Sequence, residues 1–137
     1  ERVITLIEGE ELELDFGSST HRLLPFAPFR FDTGLAPIGR PVKGPVRVFN
    51  VMANRRRWQH VAQTVLARPG DHEIPPGDFV VVFAASGTWS LTPATQAPLQ
   101  LATRDTALLS AEEPAFLAAQ PGYEARAVIL RMRSLAT

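Results

Sequence analysis

The chain has 137 residues, 45% of them hydrophobic, enough for one domain with its own core and few for two independent ones. Fourteen basic residues balance fourteen acidic ones, so no net field gathers nucleic acid or an anionic membrane. The absence of cysteine excludes a disulfide framework and a thiolate zinc site and fits a reducing compartment, and the longest apolar runs, such as FVVVFAA at 79–85, are far below membrane-spanning length. These features predict a cytoplasmic protein. The chain opens already in strand pattern and without methionine, as expected of a protein from which an N-terminal piece has been removed.

In chain order, RVITLI is β-branched and apolar, and EGE at 8–10 is a short connection in which Gly9 can take a positive φ. ELELDF follows, with Leu12, Leu14 and Phe16 on one face and Glu11, Glu13 and Asp15 on the other. These two segments read as a hairpin. VRVFNVM and WQHVAQTVL read as a second hairpin closed by the arginine run Arg55-Arg56-Arg57. In its first strand Val46, Val48, Asn50 and Met52 share a face. The turn sequences of RPGDHEIPPGD come next, then FVVVFAASGTWSLT as strand, turn and strand about Ser86-Gly87. LQLAT and ALLS are short strands, and YEARAVILRMR closes the pattern with Val128, Leu130 and Met132 on one face. Only SAEEPAFLAAQ reads as a helical turn or two, because Ser110 and Glu113 have capping-box spacing and Pro114 limits the length.

Nine or ten short strands with almost no helix predict an all-β sandwich or barrel of jelly-roll type. An internal echo, VITLIEGEELEL against VVVFAASGTWSL, suggests two related β-halves, 1–68 and 69–137, within a single domain spanning 1–137.

ERVITLIEGEELELDF, LLPFAPFRFD and GPVRVFNVMANRRRW resemble, in that order and spacing, the HutD/Ves family of cupin-like bacterial proteins. The resemblance covers about the first 60 residues well and the rest in strand pattern. It implies a cupin-like (RmlC-type) jelly-roll barrel of two halves, associated with histidine utilisation, that binds a small acidic metabolite without catalysing a reaction. Two departures accompany it. Nothing here matches the family's Trp-Arg-Asn-Gly-Gly-Gly-like segment, and Val48 stands where an acidic residue is more usual.

The chemical constellations are sparse. His21, His60 and His72 include no His-x-His pair of the kind a cupin metal centre needs, so each reads as an ordinary surface or hydrogen-bonded histidine, and neither metal nor other cofactor is expected. Ser86 lies in a turn before a strand and lacks the Gly-x-Ser-x-Gly elbow. The carboxylate pairs Glu8 with Glu10 and Glu112 with Glu113 have no apolar pocket to separate their pKa values, so no catalytic residue is nominated. A metal-free cupin-type isomerase or lyase stays open as the alternative.

The arginine run reads either as a solvated loop or as an anion clamp. Asn50 bears on the choice, because a buried amide without a partner costs about 1–3 kcal/mol and must find one. The anion reading places the carboxylate of a glutamate-like ligand on Asn50 with Arg55 or Arg56, beside Met52, with apolar walls from Phe26, Phe29 and Phe31. A homodimer is also expected, formed through an apolar edge left on RVITLI.

Overall fold

In the computed structural model, which describes residues 1–111, 113–121 and 124–135, the chain forms two compact units, Glu1–Arg56 and the remainder from Arg57. In the first unit β1 (Arg2–Glu8), β2 (Leu12–Asp15), β3 (Thr20–Leu23), β4 (Phe29–Phe31), β5 (Ile38–Pro41) and β6 (Arg47–Met52) form two antiparallel three-stranded sheets, ordered β4-β1-β6 and β3-β2-β5. The alternation in ELELDF sets its core. Leu12 and Leu14 turn inward to join Ile4, Leu6, Leu23 and Phe31, while Glu13 and Asp15 ion-pair with Arg40 outside. Glu11 is buried rather than solvated, and a hydrogen bond from Arg22 keeps its carboxyl below the usual range.

The second unit contains β7 (Trp58–Leu66), β8 (His72–Ile74), β9 (Gly77–Ser86), β10 (Trp89–Pro93), β11 (Leu99–Leu101), β12 (Thr106–Ala111), β13 (Ala115–Ala119) and β14 (Arg126–Ser134). Its sheets run β12-β9-β14-β7 and β11-β10-β13-β8. Val80, Val82, Ala127 and Ile129 of the first meet Ile74, Trp89, Leu91 and Leu117 of the second in one core. Trp89 is fully buried, and its indole N–H donates to the Ser86 carbonyl at 3.0 Å, which satisfies the one polar atom that burial would otherwise orphan.

The pairing repeats. β1 lies between β4 and β6 as β9 lies between β12 and β14, and β2 lies between β3 and β5 as β10 lies between β11 and β13. The second unit adds β7 and β8 at the sheet edges. The glycines repeat too. Gly9 (φ 100°) and Gly87 (φ 73°) follow β1 and β9, and a Cβ on either would collide with the residue just before β6 or β14, at 2.7 Å from Val46 Cγ1 or 2.4 Å from Ala125 Cβ.

The fold is all-β, with open rather than closed sheets. Several local expectations are overturned. β1 and β2 are not a hairpin, nor are β9 and β10: each glycine connection carries the chain from one sheet to the facing one. β6 and β7 do not pair either, since β6 lies against β1 and β7 against β14. A short connection with positive φ serves a hairpin and a sheet-to-sheet arch equally well, and the partner strands decide between them. The helical reading of SAEEPAFLAAQ fails because Ser110 belongs to β12 and residues 115–119 are strand. There Ala115 and Leu117 point in and Phe116 out, so period two prevails over the capping-box spacing; Glu112 lies outside the described residues. Finally, β1 has neighbours on both sides, so it leaves no edge for a second copy to cover.

Candidate functional site

In the first unit the register of β4-β1-β6 aligns two rows of side chains, Phe29–Ile4–Asn50 and Phe31–Arg2–Met52. Residues directly opposite share a face, and Ile4 belongs to the core, so both rows lie on the inner face of the sheet. Yet Asn50 is exposed and Met52 is 62% exposed. The facing sheet leaves this end of the inner face uncovered at Asn50 and Met52.

Aromatic rings floor the opening. Phe16, Phe29 and Phe31 stand edge-on or stacked at 5.5–6.3 Å between centroids. His21 stacks on Phe29 at 3.6 Å with its ring nearly parallel, and it is inward because its cross-strand partner is core Leu14. Arg2 stands among them with its guanidinium carbon 5.5 Å from the Phe31 centroid and Nη2 3.5 Å from Met52 Sδ. Its Nε is shielded from solvent with no hydrogen-bond partner, and no carboxylate pairs with it among the described residues.

The nominated residues divide. Phe29, Phe31, Asn50 and Met52 come together at this opening. Asn50 faces inward as its alternation implies, but its exposure removes the cost that demanded a partner. Arg55 crosses the end of the sheet from β6 and ion-pairs with Asp32 beyond β4 at 2.6 Å. Asp32 also accepts the Gly34 N–H at 2.8 Å, and that bond, then Arg55, holds its carboxyl below the ordinary range. The backbone nitrogen of Arg56 donates to Asn54 Oδ1 at 2.9 Å, while its exposed guanidinium has no partner among the described residues. Phe26 stands apart. Its nitrogen donates to the Leu6 carbonyl at 2.9 Å, at the opposite end of β1, and four residues of strand correspond to roughly 13 Å.

Arg2, His21 and Phe16 were not nominated from the sequence. The signal for Arg2 was the one used for Asn50, a polar residue alternating with apolar Ile4 and Leu6; likewise His21 alternates with Leu23. Among the described residues no cluster of three histidine or carboxylate groups is placed to hold a metal, and the three histidines sit on three different strands. No helix of the described residues is long and apolar enough to cross a membrane.

The HutD family model matches residues 1–127. The conserved protein of unknown function PA5104 from Pseudomonas aeruginosa PAO1 superposes with a TM-score of 0.81 at 22% identity, covering 98% of this chain and 72% of its own. HutD from Pseudomonas fluorescens SBW25 gives 0.73 at 21% identity, with 98% and 68% covered. The protein YhaK from Escherichia coli gives 0.62 at 10% identity, with 96% and 74% covered. At these identities the solved structures share the fold. No curated protein matches the chain.

Proposed function

Since the chain belongs to the HutD family, we propose that it is a non-catalytic cytoplasmic binding protein for a small acidic metabolite of the formylglutamate or formiminoglutamate kind, with a regulatory role in histidine utilisation. The observation that carries this reading is Arg2, an arginine on the inner face of an open sandwich end with no carboxylate partner among the described residues. A ligand carboxylate on Arg2 gains a charge-assisted contact in a partly apolar setting, where it is worth more than in water. Asn50, diagonal to Arg2 across β1 and β6, offers an amide to a second carboxyl or an acyl oxygen. The stacked Phe29 and His21 supply a flat wall, and we assign the exposed guanidinium of Arg56, four residues after Met52, to the same ligand. Calorimetry with N-formylglutamate tests the proposal. Saturable binding by the parent that weakens in Arg2→Met and Asn50→Ala supports it, and equal binding by parent and both variants overturns it.

A further inference from the structure

The repeat between the two units extends to the arginines of their inner faces. Arg2 stands seven residues before Gly9 and lies directly opposite Met52, six residues after Val46; at the same steps from Gly87 and Ala125 stand Val80 and Arg131, which are also directly opposite. Each unit thus places an arginine in the same cross-strand pair, from β1 in the first and from β14 in the second. Val80 is core, so Arg131 lies on the inner face, and Arg133 follows it there. Their partners on β7 are Val61 and Gln59, both exposed, so the facing sheet leaves this end uncovered too.

A cavity of about 220 Å³ is lined by Gln59, Val61, Arg131 and Arg133, and a smaller one of about 50 Å³, walled in part by the buried Ile74 and Ile129, shares Val61 and Arg131 with it. Gly77 makes room for the arginine. Its φ is not positive, so its conformation does not call for glycine, yet a Cβ there would stand 2.7 Å from Arg131 Cγ. The half-buried stem of Arg131 is therefore packed against the Gly77 backbone. Neither Arg131 nor Arg133 has an ion pair among the described residues: Asp78 accepts the Ser134 N–H, and Glu73 borders only the smaller cavity. Two guanidinium arms rooted roughly 7 Å apart on one strand face repel each other and gain most from a shared counter-ion.

We propose that this end of the second unit binds a small phosphate dianion, free or as a monoester, with Arg131 and Arg133 forked onto its oxygens, the Gln59 amide donating to another and Val61 against any ester group. Guanidinium forks match phosphate geometry, and phosphate carries nearly two negative charges near pH 7, so one ligand group neutralises both arginines. A single carboxylate neutralises one. The site is separate from that of the acidic metabolite and stands whether or not that reading holds.

The test is a titration of the ¹⁵N-labelled full chain with inorganic phosphate and phenyl phosphate, beside acetate and succinate, read at the Val61 and Gln59 amide resonances. The phosphates are expected to shift them saturably, and acetate and succinate to bind at least about tenfold more weakly, the scale of one charge-assisted contact. The two phosphates separate the sources, since an ester site holds phenyl phosphate more tightly than the free ion. Arg131→Gln and Arg133→Gln should each weaken phosphate binding by about tenfold or more, while Arg2→Met and Arg68→Gln, the latter at an exposed position elsewhere in the unit, leave it unchanged. Resonances that neither phosphate moves up to about 10 mM overturn the proposal. So does acetate or succinate binding as tightly, or an equal loss in Arg68→Gln, which would mark attraction by general charge.

Discussion

The guanidinium of Arg2 lies over the ring of Phe31, carbon to centroid 5.5 Å, on the inner face of a sheet whose next residue inward, Ile4, is core. This cation–π contact is partly exposed and contributes about 0.5–1 kcal/mol, so Arg2→Met should lower stability by no more than that. Its effect on an acidic ligand should be larger, about 1–3 kcal/mol, because the removed charge takes a hydrogen-bonding fork with it. Calorimetry beside urea denaturation separates the two quantities, and a binding loss no larger than the stability loss would sink the assignment of Arg2 to the ligand.

The two arginines after β6 should behave differently. Arg56→Ala removes a guanidinium with no partner among the described residues and should weaken ligand binding by up to about 1–3 kcal/mol while leaving stability unchanged. Arg55→Ala breaks the pair with Asp32, both side chains being substantially exposed at 66% and 41%, so solvent screening should keep its stability cost small. Measuring both variants by calorimetry and thermal unfolding checks the split; a greater binding loss at Arg55 than at Arg56 would reverse the assignment.

Stability should fall in two steps on acidification. Burial, and then the charge of Arg68, holds the folded pKa of His72 below its ordinary 6.5, so the unfolded chain takes up protons first; stability is full above pH 6.5 and declines as pH falls toward the folded value. The carboxylates Glu11 and Asp32, their folded pKa values held below 4.5 and 3.8, make up the second step: their stability is present above those values and lost as pH falls through the folded ones. Urea midpoints measured from pH 8 downward, on the order of one point per unit, should show both declines, with His72→Gln removing only the first. An unchanged first decline in that variant assigns it to another group.

Three glycines with positive φ separate conformation from space. An alanine at Gly17 (φ 85°) meets nothing within 4 Å, whereas its Cβ at Gly87 would stand 2.4 Å from Ala125 Cβ, and at Gly9 2.8 Å from the Pro45 carbonyl. Gly17→Ala should cost about 1–2 kcal/mol from the backbone alone, and Gly9→Ala and Gly87→Ala about 1–3 kcal/mol more from overpacking. Equal losses at all three positions in urea denaturation would show that close approach does not matter at the arches.

The strands were legible in the sequence because period two fixes a face from a handful of residues, as in Leu12 and Leu14 against Glu13 and Asp15. The same alternation put Asn50 and Met52 on the inner face correctly. What the sequence withholds is the partner: nothing in EGE distinguishes a hairpin from an arch, since Gly9 takes a positive φ in either. Arg2 and His21 are as legible as Asn50 on the same rule, since each alternates with core residues of its own strand. The depression lined by residues 67–71 and 118–121 was not readable, because its walls come from two segments far apart in the chain, joined only when β8 pairs with β13.

The position of β14 has a consequence for synthesis on the ribosome. The described strands of the first unit have all emerged once Met52 has, so its two sheets can close early. The second cannot. Its β7 and β9 are held together only by β14, which inserts between them and is the last strand made among the described residues. Until residues 126–134 appear, β7 and β9 each present an unpaired edge, and the core lacks Ala127 and Ile129. A nascent chain stalled before Arg126 therefore exposes both edges at once, a window in which edge-to-edge aggregation competes with folding.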